Sequence, residues 1–373
     1  MVSRLYPTTQ MLYEQVSMVL GLLGVNGIFT PTQFGVLCVY VAGLILLDRK
    51  QTNTRTALYL PARCHDAINR LLRIAPFSTR ALLRLCAAWV RAQGVVGYLS
   101  LDDVIVPKPF SQALCWATSL WCPSEKRYVH GMQIVVIAWC WGRFKVPLGI
   151  RLWYPKAKID PAHYRTKLQL AQEMMIDILH MDVPFAYIVF DAWYTAGWFT
   201  KWLNNLDITW VGKGATNAKT VYKHQHIHLE DIVPMLKLKW RKVLSLRAAT
   251  AKIYMPTLGH VRLVVTKNAH GKLDFILTNA LQQDLCTIVL WKQSRWDIET
   301  FFRNSKQLAG LAACQCHVPQ AMVRHVTLVF FTCFVLDLLA DPLQTTDGIK
   351  QQLQLQVITQ GQRPPAPLKA RTM

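Results

Sequence analysis

The chain has 373 residues, of which 42 are Lys or Arg and 21 are Asp or Glu, so its formal net charge is +21. Hydrophobic residues make up 52% and charged residues 17% of the sequence, which excludes a disordered or collagen-like chain. This length suffices for two or three domains that each bury a core. The excess of positive charge indicates a polyanionic partner, either nucleic acid or an anionic membrane surface.

Residues 1–94 are predicted to form a helical domain. No charged residue occurs from 15 to 47, but the uninterrupted apolar part, 34–47, has only 14 residues. A bilayer-spanning helix needs about 18–20 residues. Thr30, Pro31 and Gln33 together are typical of a helix start with a capping box. We therefore expect a buried helical hairpin here and no association with a membrane.

The second half of this domain is strongly basic. Residues 49–93 contain nine Lys or Arg and a single acid, Asp66. Pro76 separates two helices, and the second is predicted to begin after Ser78 and to end at Gly94. A solvated basic face would explain this pattern, but so strong a bias favours DNA contact. Arg80 and Arg84 are our candidates for that contact.

Strand-forming sequence begins at residue 95. The chain then shows, in order, three apolar β-branched runs, a helix, a strand, a second helix and a fifth strand, at 95–103, 129–141, 144–153, 161–181, 185–190, near 195–205 and 208–214. Three antiparallel strands followed by helix–strand–helix–strand is the order of an RNase H-like core. The predicted fold class is therefore α/β, with a mixed sheet, and 95–214 is the first part of this core.

The remaining sequence divides into three parts. Residues 215–290 hold strand-like runs joined by turn residues, and twelve Lys or Arg against three acids occur from 201 to 270, so we predict a β-rich basic insertion. Residues 291–341 are predicted to be helical, with a long helix at 291–311, and to complete the core. Residues 342–373, rich in Gln and Pro, are predicted to be a flexible tail.

Acidic residues stand out where apolar elements end. Asp102 and Asp103 close the first core strand, Asp191 closes the fourth, and Glu299 lies on the helix at 291–311. In an RNase H-like sheet these two strands are neighbours, so their carboxylates are expected to lie together. Carboxylate oxygens suit Mg²⁺, and two such ions can cleave a phosphodiester. A strand-end Asp more often stabilises a turn, but that explanation covers several acids in this order less well.

One face of the predicted helix 291–311 combines an acid with bases. The residues at positions i, i+4, i+7, i+8 and i+11 are Arg295, Glu299, Phe302, Arg303 and Lys306. This arrangement suits a metal-binding carboxylate beside DNA phosphates. In an isolated helix it would equally suit a surface row of ion pairs.

These motifs together resemble the DDE-superfamily insertion-sequence transposases whose RNase H-like core carries a β-strand insertion between its second Asp and its Glu. The first signature is YLSLDDVIVPK, the second is YIVFDAWY, and the third is a Tyr-x2-Arg-x3-Glu-x6-Lys helix matched by Arg295, Glu299 and Lys306. Lys292 takes the place of the Tyr. Gly310-Leu311 and Arg324-His325 match short motifs that often follow.

The resemblance implies a catalytic and metal-binding triad of Asp103, Asp191 and Glu299, with Asp102 as the alternative first acid. It implies two Mg²⁺ ions, for which Mn²⁺ can substitute, and DNA phosphates held by Arg295, Arg303 and Lys306. The implied enzyme cuts the terminal inverted repeats of its element and joins the 3′-hydroxyls to target DNA. We expect a homodimer on paired DNA ends, associated with the nucleoid in the cytoplasm.

Two alternatives to this function stay open at this point. The first is a catalytically inactive or repurposed DNA-binding protein, and the second is another RNase H-like DNA nuclease, such as a resolvase.

Three other clusters of residues have a purely structural explanation that competes with a functional one. They are the alternating His224, His226 and His228 (polar strand face or metal site), Cys314-x-Cys316-His317 (inert thiols or half a zinc site), and Trp193, Tyr194 and Trp198 (core or base stacking).

Overall fold

The computed structural model describes residues 7–48, 52–60, 65–110, 114–123 and 125–359. The first six residues of the predicted helical domain and residues 360–373 of the predicted tail lie outside the described residues. The helices are α1 (Pro7–Leu22), α2 (Pro31–Leu46), α3 (Asn53–Tyr59), α4 (His65–Arg73), α5 (Thr79–Ala92), α6 (Lys167–Leu179), α7 (Gly197–Asn205), α8 (Leu285–Gln293), α9 (Trp296–Gln307), α10 (Pro319–Leu339) and α11 (Thr346–Thr359).

The strands belong to one large mixed sheet. They are β1 (Gly97–Pro107), β2 (Thr118–Cys122), β3 (Arg127–Trp141), β4 (Phe144–Trp153), β5 (Phe185–Phe190), β6 (Trp210–Lys213), β7 (Lys219–Tyr222), β8 (Gln225–His228), β9 (Lys239–Arg241), β10 (Leu246–Met255), β11 (Gly259–Lys267) and β12 (Leu273–Thr278).

The core of this sheet has the RNase H-like order that the sequence predicted. β3 lies between β4 and β1 and is antiparallel to both, and β1, β5 and β6 follow as parallel neighbours. The hairpin between β3 and β4 turns at Gly142, whose φ of 54° is unstrained only for glycine. Parallel neighbours need crossover connections, and helices α6 and α7 supply them. The predicted α/β fold class is confirmed.

The insertion continues the core sheet. β12 pairs antiparallel with β6, and β11, β10, β7 and β8 extend the sheet beyond it. β10 contains most of the strand-like run at 251–256 and the last three residues of the run at 242–248, and its Ala248, Ile253 and Met255 are buried. The strands between Asp191 and Glu299 therefore lie beside the core strand β6.

The N-terminal helices pack on the apolar helix α10. Arg324 of α10 is buried and donates hydrogen bonds to the carbonyl oxygens of Leu72, Ala75 and Phe77, at the end of α4 and the turn before α5. The neighbouring His325 lies 2.6 Å from the Tyr40 hydroxyl of α2. The Arg–His pair matched in the sequence thus joins the helical segment to the rest of the protein.

The predicted start of α2 is confirmed, since Thr30 and Gln33 form both hydrogen bonds of a capping box. Among the described helices, α10 combines the length and apolar composition of a membrane span, with 21 residues and a mean hydropathy of 1.8 over its most apolar window. That window is 83% buried within the protein, as in the core helix of a globular fold.

Two predicted helical features differ in the structure. The helix expected over 291–311 is divided into α8 and α9 just after Ser294. There the Trp291 carbonyl accepts a hydrogen bond from the Ser294 hydroxyl, and the Arg295 N–H bonds to the Lys292 carbonyl, three residues back instead of four. The flexible tail expected over 342–373 is helical over α11. Lys350 of α11 is buried and donates hydrogen bonds to the carbonyl oxygens of Leu47 and Leu308, which hold α11 on the core.

Candidate active site

Carboxylates from β1 and β5 meet at one end of the sheet. The two strands are parallel and pair Leu101 with Phe190, so Asp102 and Asp191 occupy the next position along each. Burial and then the negative charge of Asp191 raise the pKa of Asp102 to about 7. Burial and then the charge of Asp103 also raise the pKa of Asp191. The expectation that these strand ends bring acids together is confirmed.

The two adjacent acids of β1 point to opposite faces of the sheet, as successive residues of a strand must. Asp102 lies on the face covered by α9, where it accepts a hydrogen bond of 2.8 Å from Nη1 of Arg295. The other terminal nitrogen of the same guanidinium bonds to Glu299, one helical turn further along. Arg295 therefore links Asp102 to Glu299.

Asp103 has a different set of partners. Its Oδ1 lies 2.9 Å from the ammonium group of Lys167, the first residue of α6, and 2.9 Å from the Tyr194 hydroxyl. The amide of Gln133, from β3, donates to its other oxygen. Among the described residues, the side-chain partners of Asp103 thus include the first residue of α6, whereas those of Asp102 include Arg295 at the start of α9.

Among these partners of Asp103, Lys167 and Gln133 were not singled out from the sequence, and Tyr194 was considered only for the core or for base stacking. The sequence did contain a signal for the position of Lys167, because Thr166 and Gln169 form a capping box that fixes the start of α6. It contained none for the approach of that start to β1, which depends on the packing of α6 against β4 and β3.

The carboxylate of Asp191 forms hydrogen bonds with the backbone of the residues that follow it. Asp191 Oδ1 accepts hydrogen bonds from the backbone N–H groups of Trp193, at 2.9 Å, and Tyr194, at 3.4 Å. Tyr194 is fully buried, and burial together with the charge of Asp103 holds its pKa far above the usual range. Trp193 remains 61% exposed, and the ammonium group of Lys167 lies 4.2 Å from its ring centroid. Of the pair, only Trp193 offers an open aromatic face.

The donor chemistry of this site suits a hard divalent cation. The acids raise one another's pKa, so a cation among them would relieve their repulsion, and carboxylate oxygens are the ligands that Mg²⁺ prefers. Within the described part of the chain, no three His, Cys, Asp or Glu side chains converge tightly enough to hold a metal ion. The guanidinium of Arg295 lies between Asp102 and Glu299, so both acids can share an ion only if it moves aside.

Comparison with known protein families assigns the chain to a family. The family model described as DDE superfamily endonuclease matches residues 26–231, more than half of the 373 residues. The chain belongs to this family. Nucleases of the superfamily use divalent metal ions and act on DNA. A search among curated proteins gives no match.

The match confirms, for the superfamily as a whole, the resemblance seen in the sequence motifs. It extends from the helical segment through the RNase H-like core and includes Asp102, Asp103 and Asp191. It ends before Glu299, which the structure of this DDE endonuclease places beside Arg295.

The other basic residues that the sequence suggested for DNA contact differ in their exposure and in their partners. Arg303 and Lys306 are exposed on α9, beyond Glu299. Phe302, expected on the same face, packs in the core against Phe330, with ring centroids 6.1 Å apart. Arg84 is exposed on α5. Arg80 lies 3.5 Å from Asp177 of α6, a carboxylate that Arg151 also contacts.

The histidine cluster has the geometry of a polar strand edge. His226 and His228 are exposed on β8, whereas His224 lies in the turn before it with a φ of 64°. His228 Nδ1 is 2.7 Å from the Asn217 carbonyl. The three side chains do not assemble a site among the described residues.

Proposed function

We propose that this DDE endonuclease is the transposase of an insertion sequence, which binds the terminal inverted repeats, cleaves the element ends and transfers their 3′-hydroxyls to target DNA. The observation that carries the proposal is the linked set of acids. Asp102 lies beside Asp191, and Arg295 joins Asp102 to Glu299 across a long insertion. The three transposase signatures contain these positions, although the first signature favoured the neighbouring Asp103 over Asp102.

Within this proposal, Asp102, Asp191 and Glu299 hold the divalent ions. The sequence motif favoured Asp103 as the first acid and Asp102 as the alternative. Support for Asp102 comes from the alternation of β1, since this acid shares a face with Glu299. Asp103 is engaged by Lys167, Tyr194 and Gln133, which suits a residue that positions the end of β1.

Two bound Mg²⁺ ions would activate a water or a 3′-hydroxyl and stabilise the leaving oxygen of the phosphodiester. The chain's own bases act on the phosphates. Arg295 partly neutralises Asp102 and Glu299, and when it releases them its planar guanidinium can hold a phosphate in two hydrogen bonds. Arg303 and Lys306 extend this positive charge along α9.

DNA recognition is proposed to use the basic surface outside the site. The net charge of +21 supports a large electrostatic contribution to DNA binding. Arg84 is exposed and is the better of the two N-terminal candidates, since Arg80 already pairs with Asp177. For the cleavage of two element ends we propose a homodimer, with one copy of the protein at each end. Its proposed location is the nucleoid, in the cytoplasm.

The decisive experiment incubates the purified protein and Mg²⁺ with DNA that carries the repeats flanking its own gene. We expect specific cleavage at the ends and joining of 3′-hydroxyls to a second DNA. Glu299→Gln should bind the repeats normally but lose both reactions, whereas Glu230→Gln, at an exposed position of the insertion, should retain them. Cleavage without joining would indicate a nuclease such as a resolvase, and binding without cleavage a repurposed DNA-binding protein.

A further inference from the structure

The connection between α9 and α10 carries two cysteines that are separated by one residue. Cys314 is buried, Cys316 is half-buried, and the backbone N–H of Cys316 lies 3.4 Å from Cys314 Sγ. Residues two apart in sequence are separated by no more than about 7.6 Å between Cα atoms, since each step is 3.8 Å. This upper limit lies just above the Cα separation of 4.4–6.8 Å that disulfides adopt, and the contact between the Cys316 N–H and Cys314 Sγ shows that the segment bends between the two residues.

The segment that carries the two cysteines is anchored to the rest of the protein by Lys108. Lys108, just beyond β1, donates hydrogen bonds of 2.8 Å and 2.6 Å to the carbonyl oxygens of Ala312 and Cys314. The positive charge of Lys108 thereby lies beside both thiols. Lys108 therefore fixes the backbone that carries the two cysteines, although it belongs to a distant part of the chain.

Both thiols border a cavity of about 490 Å³. Tyr40 and His325 line its buried side, and Arg73 and Asn69 of α4 line another. A cavity of this volume admits a small polar oxidant together with water. The exposed residues Arg73 and Gln315 also line this cavity, so Cys316 can be reached from solvent without opening the core.

The two thiols differ in acidity in the way that a reactive pair requires. A hydrogen bond from the Cys314 thiol lowers the pKa of Cys316 to about 7, and the positive charges of Arg73 and Lys108 act in the same direction. The hydrogen bond and burial raise the pKa of Cys314 well above its usual range. Cys316 is thus the thiol of the pair that ionises first, while Cys314 stays protonated. By contrast, burial raises the pKa of the thiols of Cys86 and Cys333, which makes them inert.

We propose that Cys316 and Cys314 form a peroxide-reactive dithiol that closes reversibly to a disulfide. The Cys316 thiolate attacks one oxygen of a hydroperoxide, the O–O bond breaks, and protonation of the departing oxygen gives water or an alcohol. Cys316 becomes a sulfenic acid. The Cys314 thiol then attacks this sulfur, the S–O bond breaks, and water leaves as the S–S bond forms. A cellular dithiol or glutathione restores both thiols by exchange.

The test follows a single tryptic peptide. Residues 307–324 lie between Lys306 and Arg324 and contain both cysteines and no other. Reduced full-length protein is treated with one equivalent of hydrogen peroxide, alkylated, digested and examined by mass spectrometry. We expect this peptide to escape alkylation and to be two hydrogen atoms lighter, before the peptides of the half-buried Cys115 and Cys286 change.

Single substitutions separate the two roles. Cys314→Ser should stop at a sulfenic acid on Cys316 that dimedone traps, whereas Cys316→Ser should leave Cys314 reduced. Arg73→Gln should slow oxidation several-fold, and Arg70→Gln, an exposed residue of the same helix, should not. Thermal unfolding checks that each variant folds.

Three results would overturn the proposal. The pair could stay fully alkylatable while Cys115 or Cys286 oxidises, or Cys314 could oxidise equally fast without Cys316. Stoichiometric binding of Zn²⁺ alone, with protection of both thiols, would show a metal site instead. The assay uses neither DNA nor Mg²⁺, so its outcome is independent of the proposed transposase activity.

Discussion

Asp102 on β1 and Glu299 on α9 accept hydrogen bonds from one guanidinium, that of Arg295. This relationship joins the sheet to the helix that follows the insertion. It also separates Asp102 from its neighbour Asp103, whose partners are Lys167, Tyr194 and Gln133 on the opposite face. The arrangement leads to a direct test of which acid completes the metal site.

The first prediction compares the two acids of β1. Asp102→Asn should abolish cleavage of repeat DNA, because a neutral amide is a poor ligand for a hard cation and Asp102 shares its face with Glu299. Asp103→Asn should cost about 10–100-fold, the usual effect of losing a residue that orients a metal site. Cleavage assays at saturating DNA, with affinity measured separately, distinguish the two. The reverse order of effects would assign the first ligand to Asp103.

The second prediction concerns Arg295 and stability. Arg295→Gln removes the only link between Asp102 and Glu299 that the described residues show, so it should lower the free energy of unfolding by about 1–2 kcal/mol without metal. Added Mg²⁺ should stabilise this variant more than the wild type, because no guanidinium competes for the acids. Thermal unfolding with and without Mg²⁺ measures both effects.

The exposed Arg303 provides the control for this experiment, since Arg303→Gln removes a charge from the same helix, whereas the described ion pairs of Asp102 and Glu299 are with Arg295. It should leave stability and the response to Mg²⁺ unchanged. Equal Mg²⁺ responses in the wild type and Arg295→Gln would mean that the guanidinium does not occupy the ion's position.

Local sequence signals predicted the parts of the fold that depend on local chemistry. The strand order of the core, the capping box of α2 and the strand-end position of Asp191 all follow from short motifs and periodicity. The break between α8 and α9 was not predicted, because the helical sequence pattern continues through Ser294, whereas the backbone bond of Arg295 shifts to the Lys292 carbonyl.

Features that depend on distant partners could not be predicted in the same way. Composition suggested a loose tail after 342, yet Lys350 finds carbonyl groups on two remote elements, at Leu47 and Leu308. The site shows the same limit. Motifs placed acids at strand ends, but the face on which each acid lies, and the approach of Lys167 to Asp103, depend on packing across the sheet.

The third prediction concerns DNA binding by α5. Arg84→Glu should weaken binding to the terminal repeats and reduce the salt dependence of affinity by about one counterion, because Arg84 is exposed. Arg80→Glu should weaken it less, since Arg80 already pairs with Asp177 at 3.5 Å. Fluorescence anisotropy across a salt series measures both. Unchanged affinity for Arg84→Glu would shift DNA recognition to the basic insertion.

The fourth prediction concerns His325 and the pH dependence of stability. Burial, and then the positive charge of Lys108, lower the pKa of His325 to about 3 from an ordinary 6.5. Below pH 6.5 the unfolded chain therefore binds a proton that the folded protein does not, and stability falls as pH decreases toward 3. This contribution is about 1.4 kcal/mol for each pH unit in that window.

His325→Gln lacks the titrating group, so it should be less stable than the wild type at pH 7.5, where the bond to Tyr40 is lost, but should lose less stability on acidification. The free energies of unfolding of the two proteins should thus converge between pH 6.5 and pH 4.5. Chemical denaturation at several pH values measures the difference between the two free energies of unfolding. The contributions of titratable groups that both proteins share cancel in this difference. His163→Gln, at an exposed position, should parallel the wild type throughout. Parallel curves for His325→Gln would show instead that His325 takes up its proton in the folded protein, and that the contact with Tyr40 survives protonation.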